Sequence, residues 1–161
     1  MIVRNVSESK TSGDSLLVFH QGGVLSPLLF SIFINTMTDL LSLPYHLYAD
    51  DFQIYVSALV SDIPEAVNRL NADLSAICDW SRSHGLLVNA SKSQSIILGN
   101  SRQIAEVNFS GIPQVTFDGS LLPYSKTVKN LGILMDSSLS WRPQVAHVSQ
   151  KVLGAFGSLK R

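Results

Sequence analysis

A chain of 161 residues, 45% apolar and 15% charged, is the size of one ordinary domain and can bury a real core. That balance excludes a disordered chain, and a formal net charge of zero excludes whole-chain attraction to nucleic acid, so any such role rests on local sites. A single cysteine, Cys78, excludes an internal disulfide or a multi-cysteine zinc site and suits a reducing compartment.

The N-terminus "MIVRNVSESKTSGDS" has no apolar signal core, which argues against secretion. "MIVRNV" and "SLLVF" are expected to pair as a hairpin around the polar "SESKTSGD". After the glycine turn "HQGGVL", Ser26 and Pro27 signal a helix start, and the helix should run to about Leu41. Its apolar surface, Leu28, Leu29, Ile32, Phe33, Met37, Leu40 and Leu41, is wide enough to pack on a sheet. The longest apolar stretch, "VLSPLLFSIFI", is shorter than the roughly 20 residues a bilayer needs, so no membrane span is expected.

Two strand-like runs follow, "YHLYA" and "FQIYVSAL", meeting at Asp50 and Asp51. Next comes a helix with Val67, Leu70, Leu74 and Ile77 on one face, a capping box from Asp62 and Glu65, and Gly85 at its end. "LLVN" and "QSIILG" read as strands around "ASKS", and "QVTFDGSLLPYSKTVKNLGILM" as strands with a D-G turn. "WRPQVAHVSQKVLGAFGSLK" reads as a final helix. Without a strict βαβ repeat, the pattern predicts an α+β fold with helices on one face of an antiparallel sheet.

Two adjacent carboxylates interrupt the buried-looking run "HLYADDFQIYV". In a regular strand they would point to opposite faces, but where a hairpin turns both can lean toward one space. There they repel unless a cation joins them, and hard divalent ions such as Mg²⁺ take one or two carboxylates plus waters and phosphates. The other reading is a solvated turn, because aspartate is a common turn residue.

Four blocks occur in order: "QGGVLSPLLFSIFIN", "YADD", "HGLLVNASKS" and "VKNLGILMDSSLSW". Together they resemble the second half of a reverse transcriptase (RNA-directed DNA polymerase) domain of the non-LTR retrotransposon type. The likeness runs from about Gln21 to the final helix. It implies a partial polymerase palm over residues 1–139 and the start of a thumb helix over 140–161. It also implies RNA-templated DNA synthesis by two-metal nucleotidyl transfer, with Mg²⁺ or Mn²⁺ as cofactor. RNA template, DNA primer and deoxynucleoside triphosphates are the implied partners, and an intracellular, nuclear location follows from how such elements integrate.

By the same resemblance, Asp50 and Asp51 are the catalytic and metal-binding acids. Ala49 leaves room beside the primer terminus, and Tyr48 packs alongside. Gln21 and Gly22 touch the nascent pair and template, although Val18, His20 and Gly23 depart from the usual pattern of that loop. Lys92 matches a lysine near the triphosphate, a candidate proton donor to the leaving pyrophosphate; read on the residue alone, it is a solvated turn lysine. Leu131 and Gly132 match the hairpin that grips the primer. Lys151, Lys160 and Arg161 are available for phosphate contacts, or simply for solubility. Trp80, Cys78 and His84 read as structural, and Asn89 as a turn cap.

A two-metal site needs a third carboxylate, which in such polymerases comes from a block well upstream of the Q-G loop. Only twenty residues precede Gln21, and Asp14, their sole aspartate, belongs to a polar turn region. The fingers have no counterpart either. The chain by itself is therefore expected not to polymerise DNA and to expose a sheet edge. The alternative is a non-catalytic relic or an RNA- or protein-binding module.

Overall fold

The computed structural model describes residues 2–4, 25–48 and 51–159. Its main sheet has four strands in the order β2-β3-β1-β4: β1 (Ile2–Arg4), β2 (Tyr45–Tyr48), β3 (Asp51–Tyr55) and β4 (Ser95–Ile96). Helix α1 (Ser26–Thr38) precedes β2, and α2 (Ile63–Ser83) and α3 (Ser101–Glu106) flank β4. Two small hairpins follow, β5 (Val115–Phe117) with β6 (Ser120–Leu122), and β7 (Thr127–Asn130) with β8 (Ile133–Asp136). Helix α4 (Arg142–Leu159) closes the chain. The fold is α+β with antiparallel sheets, as the sequence pattern predicts.

Alternation along β3 sets the layers. Phe52 and Ile54 are buried in one cluster with Ile34 and Met37 of α1 and Val67, Leu70, Leu74 and Ile77 of α2. The expected stripe on α2 is thus the helix's core face. The acid in that stripe is also structural: buried Asp73 accepts from the Ser42 and Leu43 backbone N–H groups, each at 2.9 Å, pinning the α1–β2 connection.

Several expectations shift at this level. β1 pairs with β3 and β4 rather than in an N-terminal hairpin, whose second strand falls outside the described residues. β3 is consequently flanked on both sides, by β2 and β1, and the edges of the sheet are β2 and β4. Asp62 occupies the cap position of α2 but its side chain caps nothing; its Oδ1 instead accepts from the Ser61 hydroxyl. The capping box forms at α3, between Asn100 and Gln103. Helix α1 ends three residues short of Leu41, and Leu28, Leu29 and Ile32 remain exposed. After α2, Gly85 takes the left-handed conformation expected of it, with φ 69°. "LLVN" leads into a 3₁₀ turn, Ala90–Lys92, rather than a strand of the sheet.

Candidate active site

The β2–β3 hairpin carries the acidic pair. Its last paired residues are Tyr48 and Asp51; Ala49 and Asp50, between them, lie outside the described residues, as do Gln21 and Gly22. Asp51 is half-buried at the start of β3. Because side chains alternate along a strand, Asp51 shares the face of Gln53 and Tyr55, opposite to the core residues Phe52 and Ile54. Cross-strand pairing adds Tyr48 and His46 to that face. Tyr48 is exposed, while His46 stacks on Tyr55 with ring centroids 5.1 Å apart. An open cavity of about 890 Å³ lies beside His46, Gln53 and Tyr55.

Strand register relates this end of the sheet to Lys92. Ile2 of β1 lies opposite both Tyr55 on β3 and Ile96 on β4. Antiparallel pairing to both neighbours makes β3 and β4 run parallel, two strand spacings or about 10 Å apart. Asp51 opens β3, and Lys92 ends the 3₁₀ turn three residues before β4, so both lie on the N-terminal side of these parallel strands. Lys92 is exposed and closes a turn capped by Asn89, whose Oδ1 accepts from the Lys92 N–H at 3.1 Å. It lines a cleft of about 580 Å³ with Lys129, Ser91, Ser93 and Ser120. The Ser91 and Ser93 hydroxyls donate to Asn89 Oδ1 and to its backbone carbonyl at 2.7 and 2.9 Å, so the two ammonium groups are what this cleft offers an anion.

The β7–β8 hairpin reaches toward the same end. Asn130 and Ile133 pair directly across a two-residue turn in which Leu131 and Gly132 have φ of 45° and 87°. Positive φ at both positions gives the type I′ turn that matches strand twist. Glycine takes this freely, but a leucine there costs about 1 kcal/mol, and Leu131 is exposed at the tip. The tip is tied down by the Gln53 Nε2, which donates to Asn130 Oδ1 at 2.6 Å, and by the Lys129 N–H, which donates to Gln94 Oε1 at 3.3 Å. Gln53 and Gln94 each stand two residues beyond Asp51 and Lys92.

Register and hydrogen bonds thus direct Asp51, Tyr48, Lys92, Leu131 and Gly132 toward one end of the sheet. Gln53, Gln94 and Asn130 are absent from the sequence reading, because a glutamine in an alternating strand looks like any polar outward residue. The signal available was Gln53's place inside an aromatic run. Trp80 stacks on His84 at 4.4 Å and meets Phe33 at a tilt, 5.2 Å away, and burial pushes the Cys78 thiol up, so these three are packing groups. Among the described residues no three His, Cys, Asp or Glu side chains gather as a metal site. Asp51 supplies the hard oxygen donor that Mg²⁺ or Mn²⁺ prefers. No helix among the described residues is long and apolar enough to cross a membrane.

Beyond β8, Asp136 organises the approach to α4. Its Oδ2 accepts from the Ser138 and Ser140 hydroxyls, each at 2.8 Å, and its Oδ1 from the Ser140 N–H at 2.6 Å. The Ser138 hydrogen bond leads in holding its carboxyl below the usual range. This turn carries Leu139 and Trp141 at φ 54° and 62°. Lys151 is exposed on α4, and Lys160 and Arg161 lie outside the described residues.

Residues 5–135 match the family model described as reverse transcriptase (RNA-dependent DNA polymerase). The chain is 31% identical over 133 residues to the RNA-directed DNA polymerase from mobile element jockey of Drosophila funebris, covering 78% of this chain and 14% of that protein. The jockey polymerase of Drosophila melanogaster is 25% identical over 138 residues, 81% of this chain and 14% of its own length. A retrovirus-related Pol polyprotein from type-1 retrotransposable element R1 of Nasonia vitripennis is 24% identical over 148 residues, 88% of this chain and 42% of its own length. The chain therefore spans less than half the length of each of these relatives. No solved structure matches it.

Proposed function

The chain belongs to the reverse transcriptase family, and from that premise we propose that it supplies the carboxylate-hairpin part of a nucleotidyl-transfer centre for RNA-templated DNA synthesis. The observation that supports this reading is that Asp51 opens β3, the Lys92 turn precedes the parallel strand β4, and Asn130, beside the Leu131–Gly132 tip, is bonded to Gln53 of β3.

In the proposed assignment Asp50 and Asp51 hold Mg²⁺ or Mn²⁺, which when bound lowers the cost of charge on the attacking and leaving oxygens. Tyr48 and Ala49 border the primer terminus. Leu131 and Gly132 press on the primer strand, and the exposed, conformationally costly leucine supports a contact role over a stabilising one. Lys92, exposed beside the cleft it shares with Lys129, neutralises the triphosphate and hands a proton to the leaving pyrophosphate. Gln21 and Gly22 are assigned to the template and incoming nucleotide.

These residues alone hold too few carboxylates for a two-metal site. Mg²⁺ demands near-octahedral order, and one adjacent pair of acids cannot enforce it. The polymerase activity therefore belongs to a longer polypeptide, and the 161-residue chain by itself is inactive. The departures at Val18, His20 and Gly23 favour a second reading, a non-catalytic module that keeps nucleic-acid contact. Mg²⁺-dependent primer extension on a poly-A template separates the cases. The isolated chain should incorporate no nucleotide, and incorporation that Asp50→Ala abolishes would overturn the inactivity.

A further inference from the structure

Gln53 is a polar side chain buried to 7% exposure, between two residues of the core, Phe52 and Ile54. A buried amide in such a place costs free energy unless its donor and acceptor are both answered. Here one distant side chain answers both. Gln53 Nε2 donates to Asn130 Oδ1 at 2.6 Å, and Asn130 Nδ2 returns a longer bond of 3.4 Å to Gln53 Oε1. The partners are 77 residues apart in sequence.

An apolar pair of similar volume would hold hairpin to sheet equally well, since packing is indifferent to direction. A two-bond amide pair also fixes rotation, because both bonds survive only in one relative orientation. Its two ends are placed where orientation matters. Gln53 stands two residues after Asp51, and Asn130 immediately precedes the strained Leu131–Gly132 tip. The Gln94 bond to the Lys129 N–H, 3.3 Å, adds a second anchor from the residue just before β4.

We propose that the Gln53–Asn130 amide pair is a positioning device that sets the angle of the Leu131–Gly132 tip over the carboxylate end of the sheet. What the tip does there rests on the polymerase reading; the pair's effect on its orientation does not.

The test is an interspin distance measurement on the whole chain, with nitroxides at Tyr48→Cys and Ile133→Cys and the buried Cys78 replaced by alanine. The parent protein should give a narrow distance distribution. Gln53→Leu keeps the volume and should widen the distribution about twofold, as lost pre-organisation would. Asn130→Ala should widen it as much, the two together no more, and the exchange of Gln53→Asn with Asn130→Gln should narrow it again. A Gln53→Leu distribution as narrow as the parent's would overturn the proposal, because packing alone would then suffice. If Gln53→Leu does not fold, Asn130→Ala and the exchange decide, and an exchange as broad as Asn130→Ala also overturns it. Mn²⁺ binding, measured on the parent and on Asp50→Ala, decides the polymerase reading separately. A rigid tip on a chain whose Asp50 binds no Mn²⁺ keeps the pair and removes the polymerase.

Discussion

Two residues show opposite relations between stability and role. Leu131 sits at φ 45° in a tight turn, where an L side chain crowds its own backbone. Leu131→Gly should therefore stabilise the chain by about 1 kcal/mol, read as a higher urea midpoint, while weakening primer contact in any polymerase that carries it. Asp73 is the reverse case. It is 5% exposed and accepts from two backbone N–H groups and the Ser42 hydroxyl, at 2.9, 2.9 and 3.0 Å. Asp73→Ala leaves those donors without an acceptor and should cost about 2–3 kcal/mol, lowering the urea midpoint with an unchanged slope. In the sequence, Asp73 looks like an ordinary polar position on a helix. Its backbone partners lie 30 and 31 residues away, and no local pattern could reveal them.

At the scale of elements, short-range chemistry decides what is legible. The D-G turn of the β5–β6 hairpin is readable because Asp118 and Gly119 are residue types that accept φ of 48° and 72°. The stripe on α2 is readable because it repeats over 21 residues. Helix α3 is not, since six residues carry no periodicity, although its Asn100–Gln103 capping box was there to be found. The Asp62–Glu65 box is a false match, because a 3₁₀ turn at Val60–Asp62 leaves Asp62 with its side chain turned to Ser61. How the β5–β6 hairpin is held was also illegible. The Tyr124 hydroxyl donates to the Pro113 carbonyl at 2.6 Å, closing the segment before β5 onto the strand exit of β6. Burial pushes the Tyr124 phenol from 10.0 up to about 12. A raised folded-state value means the unfolded chain loses this proton first. The contribution is complete below pH 10 and is lost as pH rises through about 12. Tyr124→Phe should flatten the fall of stability over that alkaline window, measured by urea unfolding at stepped pH, and should cost about 1 kcal/mol at neutral pH.

The whole molecule turns on how much of a metal site one sheet end can make. The sequence marks the paired acids, the turn lysine and the L-G tip as separate words, and their resemblance to a polymerase gives them roles. What relates their strands is register: β1, three residues long, pairs with two strands at once and so sets β3, which Asp51 opens, parallel to β4, which the Lys92 turn precedes. No local pattern carries that information, because pairing partners are chosen by burial across the entire sheet. The same geometry predicts the response to metal. Adjacent carboxylates repel each other, so a divalent cation bound between them should stabilise the folded chain by linkage, about 2.7 kcal/mol at one hundred times its dissociation constant. An ion held by the hairpin acids alone should be held weakly. Mn²⁺ should therefore raise the melting temperature only at high concentration, and Asp50→Ala should abolish the rise. A longer polypeptide that adds the upstream palm carboxylate should bind Mn²⁺ at least about tenfold more tightly, since each added oxygen ligand both attracts the ion and fixes its geometry. Equal affinity in the short and long chains, measured by the Mn²⁺ electron spin resonance signal, would mean that the hairpin acids do not share their ion with an upstream partner. The sheet end would then be a turn and not half of a catalytic centre.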